Sequence, residues 1–166
     1  MSGPPVYVLD ANVFIEAARR YYAFDLVSRF WEALIECAQK GLVLSIDRVK
    51  AELDRGNDAL ATWADNSFHP WFTSTAESEV VDAYAQVMVW AQGQTQFTEP
   101  AKALFAKAAD GWLVAYARAK GCLVVTHEQF DPDTKKRVPI PNCCRTFGVQ
   151  YVDTFQMLRA LGVKLS

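Results

Sequence analysis

An apolar segment that runs directly into an aspartate dominates the start of this chain. Residues 6–16 read VYVLDANVFIE, so that a short apolar strand ends at Asp10 and a helical pattern begins two positions after it, at Asn12. In open α/β sheets, ligands bind outside the carboxyl ends of the strands. The segment therefore favours a ligand site at Asp10, although capping of the following helix by Asp10 or Asn12 is the ordinary alternative.

The pattern that follows predicts a parallel sheet. Residues 24–40 carry apolar side chains at helical spacing, Gly41 fits the end of that helix, and residues 42–46 form a second apolar strand. A strand, a helix and a second buried strand make a βαβ unit with a right-handed crossover. Two more strands are predicted at residues 122–126 and 149–152, which gives an α/β fold on a central parallel sheet.

Composition limits the class of protein. The chain has 166 residues, of which 51% are hydrophobic and 22% charged, so a single globular domain over residues 1–166 is expected. The four cysteines form no Cys-x-x-Cys pair, which indicates a reducing compartment. No signal-like or membrane-spanning segment is apparent. These features predict a cytoplasmic protein that does not enter a membrane.

Acidic residues recur where the predicted strands and helices meet. Asp10 ends the first strand, Glu52 lies in the helix after the second, Asp110 lies at a helix start before the third, and Glu128 follows the third. Parallel neighbouring strands would bring all four to one edge of the sheet. Each position also has an ordinary explanation, which is solvation for Glu52 and helix capping for Asp110.

Convergence of these acids would require a cation. Two carboxylates about 5 Å apart repel each other by roughly 3 kcal/mol at an effective dielectric constant of about 20. Carboxylate ligands without nearby imidazole or thiolate groups suit Mg²⁺ or Mn²⁺. Such an ion activates water and screens the charge that develops on phosphate oxygens.

Four short motifs surround these acids. They are Leu9-Asp10-Ala-Asn12, Val49-x-x-Glu52-Leu53, Ala109-Asp110 and Val124-Val-Thr126-x-Glu128. The four motifs resemble those of the PIN-domain ribonucleases, a family that includes the toxin halves of bacterial toxin–antitoxin pairs. Two later segments, at residues 141–143 and 153–159, resemble an uncharacterised PIN-like subgroup.

The resemblance implies a three-layer α/β/α sandwich and metal-assisted hydrolysis of single-stranded RNA with Mg²⁺ or Mn²⁺. By motif, Asp10 and Asp110 would be the direct metal ligands, with Glu52 and Glu128 completing a catalytic and metal-binding quartet. Asn12 and Thr126 would be supporting polar residues, of which Thr126 ends the third strand. Glu128 stands where the family usually has aspartate, so its longer side chain would place the carboxylate differently.

The expected partners follow from the same resemblance and from charge. Lys135, Lys136 and Arg137 lie close after Glu128 and are either phosphate contacts for RNA or a solvated loop. The net charge of −2 disfavours nucleic acid, but if four acids hold metal, 17 basic residues remain against 15 acidic ones. A protein antitoxin and a second copy of the chain are further candidate partners, and the aromatic-rich connection at residues 66–75 is a candidate surface for them.

Other functions fit less well or remain open. A dehalogenase-like phosphatase would need a second aspartate where Asn12 stands, and a nucleotide-binding module would need a glycine-rich first turn. A catalytically inactive PIN-like domain that binds RNA or protein is the principal alternative to a nuclease.

Overall fold

A parallel sheet forms the middle layer of the molecule. The computed structural model describes residues 3–166, and within them all strand pairs are parallel, in the order β3-β2-β1-β4-β5. Helices cover both faces, so the predicted three-layer α/β/α architecture is confirmed. The strands are β1 (Tyr7–Leu9), β2 (Val43–Ile46), β3 (Phe72–Thr73), β4 (Leu123–Val125) and β5 (Tyr151–Val152).

Most of the remaining chain is helical. None of the helices in residues 3–166 combines the length and the apolar character needed to cross a bilayer. A π-helical turn at Ala17–Tyr21 extends the first helix, and a 3₁₀ turn occupies His69–Trp71. The helices are α1 (Ala11–Glu16), α2 (Ser28–Gln39), α3 (Asp47–Asp54), α4 (Ala59–Asn66), α5 (Ser78–Gly93), α6 (Glu99–Lys107), α7 (Asp110–Lys120), α8 (Ile140–Phe147) and α9 (Thr154–Ala160).

Strand β1 is the centre of the sheet and the point where its order reverses. Tyr7 pairs with Val43 of β2 on one side and with Leu123 of β4 on the other. All three residues of β1 are buried, as expected for a strand covered on both faces. Strands β2 and β3 continue the sheet on one side of β1, whereas β4 and β5 continue it on the other. At such a reversal of strand order a crevice opens beyond the carboxyl ends of the two strands that flank it, here β1 and β4.

Local signals in the sequence fix several helix ends. Gly41 and Gly121 follow α2 and α7 with φ angles of +77° and +70°, a conformation that glycine adopts without steric cost. Asp153 and Gln156 form a capping box at the start of α9. Asp47, in contrast, is the first residue of α3 rather than its cap, and its carboxylate accepts hydrogen bonds from the amide and hydroxyl of Thr75 at 3.2 and 2.9 Å.

Two elements differ from the sequence prediction. Residues 66–75 were expected to be an irregular connection, but Phe72–Thr73 joins the sheet as β3, and Phe68 is fully buried against Phe14 and Trp63. Aromatic packing therefore accounts for Phe68 and Phe72, whereas five residues of this segment, namely Asn66, Ser67, His69, Pro70 and Ser74, are exposed. Helix α8 was not predicted, because the sequence from Ile140 contains a proline. Pro141 lies in its first turn, where proline is tolerated.

Replacing Phe68 tests this assignment to the core. We expect Phe68→Ala to lower the free energy of unfolding by about 3–5 kcal/mol, because a fully buried aromatic ring would leave a cavity. Urea denaturation gives the change directly. His69→Ala, at the exposed neighbouring position, is the matched control and should shift stability by less than about 0.5 kcal/mol. Equal effects of the two variants would show that the connection is not part of the core.

Candidate active site

Asp10 is a buried carboxylate at the carboxyl end of β1. Its side chain is 3% exposed, and the hydroxyl of Thr126 donates a hydrogen bond to Oδ2 at 3.0 Å. The Asp10 amide donates to the carbonyl of Val125 at 3.0 Å, which ties the residue to β4. Although Asp10 precedes α1, its side chain makes no capping hydrogen bond to that helix within residues 3–166. The capping alternative therefore does not describe Asp10.

Asp110 and Glu52 are neighbours across two helices. Asp110 is the first residue of α7, and the cap position is held by Ala109, so Asp110 is not the cap. Glu52, on α3, accepts a hydrogen bond from the Ala109 amide through Oε2 at 2.8 Å. One carboxylate oxygen of Glu52 is thus committed to the backbone immediately before Asp110.

Glu128 is held at both of its carboxylate oxygens. Oε1 accepts from the Ile140 amide at 2.8 Å, at the first residue of α8, and Oε2 forms an ion pair with Arg137 Nη2 at 2.8 Å. The Glu128 amide donates to the Thr126 hydroxyl at 3.1 Å. The glutamate side chain has the reach to join β4 to α8, which gives a structural reason for glutamate where PIN-domain ribonucleases usually have aspartate.

Glu52 and Glu128 lie close enough to Asp10 and Asp110 for their charges to raise the pKa of both aspartates. Burial, followed by the charges of Glu128 and Glu52, raises the pKa of Asp10 from its ordinary 3.8 to about 7, although the Thr126 hydrogen bond lowers it. Burial and then the charges of Asp10, Glu128 and Glu52 raise the pKa of Asp110 well above its usual range. The structure thus places Asp10, Glu52, Asp110 and Glu128 around one region at the carboxyl edge of the sheet.

The supporting residues and the basic run take different positions. Thr126 is buried between Asp10 and Glu128, whereas Asn12 is exposed on the first turn of α1. Lys135 and Lys136 are exposed, as a phosphate-binding loop requires. Arg137 is exposed as well, and its guanidinium is paired with Glu128. Phosphate binding by these three residues stays a prediction.

Arg137 also borders a cavity beside the acids. Together with Glu52 and Asp110 it lines a space of about 380 Å³ whose other walls include Phe105 and Val138. Its charge opposes the upward shift of the Asp110 pKa. Arg137 is therefore a cation of the acidic region itself.

The donors fit a hard divalent cation in chemical type. They are carboxylates and a hydroxyl, no imidazole or thiol of residues 3–166 is hydrogen-bonded to them, and the charges of the carboxylates repel one another. In the part of the chain from residue 3 to residue 166, however, no three His, Cys, Asp or Glu side chains form a ready-made metal-binding group. Among the four acids, Glu52 and Glu128 accept hydrogen bonds from backbone amides of distant elements, whereas Asp10 and Asp110 do not within residues 3–166.

The family assignment comes from a sequence model that matches residues 7–165, which is almost the whole chain. Its description is "Domain of unknown function (DUF4411)". The chain belongs to DUF4411. Among curated proteins, none matches this DUF4411 chain.

Two solved structures are similar to this DUF4411 protein along most of its length. VapBC2 from Rickettsia felis, bound to a DNA fragment from their promoter, matches with a TM-score of 0.55 and 12% identity, over 89% of this chain and 98% of that one. FitAcB from Neisseria gonorrhoeae matches with a TM-score of 0.53 and 20% identity, over 88% of this chain and 96% of that one. The likeness shows that the DUF4411 chain has a PIN-like fold of the VapC type.

Sequence reasoning missed the basic and backbone partners of the acids. The Ile140 amide could not be identified because α8 was not predicted, and the Ala109 amide belongs to an apolar residue that carries no chemical signal. The pairing of Arg137 with Glu128 had one sequence signal, which is their separation by a single short loop. That signal could not distinguish an ion pair from a phosphate contact.

The raised pKa of Asp10 predicts that stability falls with increasing pH. Because the folded-state pKa is about 7 and the unfolded value about 3.8, the folded state binds an extra proton between these limits. The contribution is fully present below about pH 4 and is lost as pH rises through about 7, at a cost on the order of 4 kcal/mol. We expect metal-free Asp10→Asn to be more stable than the parent at pH 8, with a smaller difference at pH 5, in urea denaturation.

The exposed Asp82 on α5 supplies the control for that comparison. Asp82→Asn should leave the pH dependence of unfolding unchanged. An Asp10→Asn variant that is less stable than the parent at pH 8 would contradict a strained acidic region.

Proposed function

We propose that this protein is a metal-dependent endoribonuclease that hydrolyses phosphodiester bonds of single-stranded RNA with Mg²⁺ or Mn²⁺. The observation that carries the proposal is the group of four carboxylates at the carboxyl edge of β1 and β4, where burial and mutual repulsion raise the pKa of Asp10 and Asp110. A folded protein retains such a costly arrangement at functional sites more often than elsewhere. The PIN-like fold is consistent with this chemistry but does not by itself establish it.

The contacts suggest separate roles for the four acids. Asp10 and Asp110 would hold the metal directly, since their carboxylates are free of distant backbone amides. Glu52 and Glu128 would shape the site through the Ala109 and Ile140 amides and would reach the metal with their remaining oxygen or through water. A bound divalent ion would activate water and screen charge on the phosphate.

The polar side chains near Asp10 would orient the acids. The Thr126 hydroxyl donates to Asp10 and accepts from the Glu128 amide, so it fixes the spacing between β1 and the segment after β4. Asn12 is exposed on the first turn of α1, two residues after Asp10, and would bind the substrate or a water molecule. Lys135 and Lys136 would contact RNA phosphates, which gives affinity without base specificity.

The solved neighbours suggest a protein partner. Because FitAcB and VapBC2, the latter together with promoter DNA, are among the structures that this chain is similar to, we propose a protein antitoxin and a toxin role for the chain. A homodimer and a cytoplasmic location, where RNA substrates are found, belong to the same proposal.

An inactive RNA- or protein-binding domain is the second candidate function. The ion pair between Arg137 and Glu128 favours it, because a cation supplied by the chain already neutralises one of the four acids. In that case the acidic region would be a structural feature, and divalent ions would not bind it at millimolar concentration.

Metal titration of the parent and of two site variants separates the candidates. We expect Mn²⁺ to raise the melting temperature saturably and to give a calorimetric binding isotherm, and both effects to be lost in Asp10→Asn and Asp110→Asn. Cleavage of single-stranded RNA should fall by at least about 100-fold in each variant, since several kcal/mol of charge stabilisation would be lost.

The same measurements on Asp82→Asn control for a general loss of surface charge. Circular dichroism of every variant confirms that the fold is retained. If the parent neither binds Mn²⁺ nor cleaves RNA with the metal present, the nuclease proposal is wrong and the inactive domain is favoured.

Salt dependence of RNA affinity tests the basic run residue by residue. For single strands, each phosphate contact contributes about 0.7 to the slope of log affinity against log salt. We expect Lys135→Ala and Lys136→Ala each to flatten the slope by about that amount. Arg137→Ala should change it less, because its charge is already paired with Glu128. Fluorescence anisotropy with a labelled oligonucleotide, measured without divalent metal, gives all four slopes.

Unchanged slopes in both lysine variants would show that Lys135 and Lys136 belong to a solvated loop and do not contact RNA phosphates. A slope change in Arg137→Ala as large as in the lysine variants would show that RNA displaces the ion pair.

A further inference from the structure

A second cavity, larger than the one beside Arg137, lies on the other side of Glu128. Its volume is about 730 Å³, within the range of small-molecule sites. It opens at the carboxyl ends of β4 and β5, and we call it the β4–β5 cleft. The residues that matter for its chemistry are Glu16, Tyr21, Gln129, Arg145, Asp153 and Gln156, and it shares Thr126 and Glu128 with the acidic region.

Planar groups line this cleft and are held in place by their neighbours. Tyr21 is 47% exposed, yet its ring packs edge-on against Phe155 at 5.6 Å and lies 5.9 Å from the His127 ring. The guanidinium of Arg145 lies 3.8 Å from the centre of the Phe130 ring. Aromatic rings and guanidinium planes are the surfaces on which unpaired nucleobases stack.

The Arg145 side chain is held further by the hydroxyl of Tyr151, to which its Nε donates at 3.4 Å. His127 Nε2 and the Thr154 hydroxyl share a hydrogen bond of 2.9 Å at the base of the cleft. A surface fixed in this way loses little conformational entropy when a ligand binds.

The polar groups of the cleft favour a neutral ligand that donates hydrogen bonds. Glu16, Glu128 and Asp153 contribute three carboxylates. Glu16 is paired with Arg20 and Glu128 with Arg137, so within residues 3–166 Asp153 is the lining carboxylate without an ion pair. Gln129 is exposed, and Gln156 uses Oε1 to accept from the Asp153 amide, which leaves its NH₂ group for a ligand. The second carboxylate oxygen of Asp153 suits the exocyclic amine of adenine, cytosine or guanine, and the Gln156 NH₂ group suits a ring nitrogen of the same base.

We propose that the β4–β5 cleft binds one unpaired nucleobase that carries an exocyclic amine, beside the phosphate that the acids act upon. This inference rests on the proposed function, since it takes RNA as the polymer that crosses the acidic region. Thr126 and Glu128 line both sites, so a strand with a phosphate at the acids has a neighbouring base at the cleft. The cleft thereby selects the sequence at which the strand is positioned.

Nucleosides without phosphate test the cleft independently of catalysis. Uniformly ¹⁵N-labelled protein is titrated in EDTA with adenosine, cytidine, uridine and ribose 5-phosphate. Adenosine and cytidine should shift the amide resonances of Gln129, Arg145 and Asp153, whereas ribose 5-phosphate should not. Equal shifts from ribose 5-phosphate, or shifts confined to residues outside the cleft, would overturn the proposal.

Variants of Tyr21 then test stacking with labelled hexanucleotides, again in EDTA. We expect Tyr21→Ala to weaken oligo(A) and oligo(C) binding about tenfold. Tyr21→Phe, which keeps the ring, and Leu26→Ala, at an exposed apolar position that does not line the cleft, should stay within about twofold of the parent. Oligo(U) should bind more weakly to the parent than oligo(A) does.

Equal weakening by Tyr21→Ala and Leu26→Ala, or equal binding of oligo(U), would overturn the proposed base site. Because no divalent ion is present, these results do not depend on hydrolysis. If instead the nuclease proposal is wrong, the parent protein leaves RNA uncut when metal is added, while Tyr21→Ala still weakens oligonucleotide binding.

Discussion

Repulsion between carboxylates at the β1–β4 edge destabilises the fold, and the surrounding contacts offset it. Each acid would destabilise the fold if left alone in a partly buried setting. Thr126 donates to Asp10, the Ala109 amide to Glu52, and the Ile140 amide to Glu128. These donors come from the residue after β4, from the residue before α7 and from the first residue of α8, so satisfying the acids also ties three parts of the chain to the sheet edge.

The partners divide the acids into two kinds. The carboxylates of Glu52 and Glu128 bind backbone amides of distant elements. That of Asp10 is bound by the Thr126 hydroxyl instead, and that of Asp110 accepts no hydrogen bond from another element within residues 3–166. A nuclease would need Asp10 and Asp110 as metal ligands, and Glu52 and Glu128 to hold the geometry of the site. An inactive binding domain would need only Glu52 and Glu128, and this difference is why the two aspartates, rather than the two glutamates, decide between the proposed functions.

Much of the architecture follows from local patterns in the sequence. The apolar strands at β1, β2 and β4 are visible because they are buried on both faces, and Gly41 and Gly121 mark helix ends by a conformation that other residues rarely adopt. The acids could be placed at one edge because parallel strands share their direction. Strand β3 was invisible, since Phe72–Thr73 is too short to show an alternation and depends on pairing with β2. The Arg137–Glu128 pair depends on tertiary placement that no local pattern specifies.

The strand order has a consequence for how the acidic region arises during synthesis. Strands β1, β2 and β3 come from the first half of the chain and lie together on one side of the sheet, whereas β4 pairs with β1 from more than 100 residues further along. Such long-range pairing forms late, because the intervening chain must first be made and then closed into a loop. A growing chain on the ribosome therefore carries Asp10 and Glu52 without Asp110 and Glu128, so its acidic region is complete only once most of the polypeptide has been released.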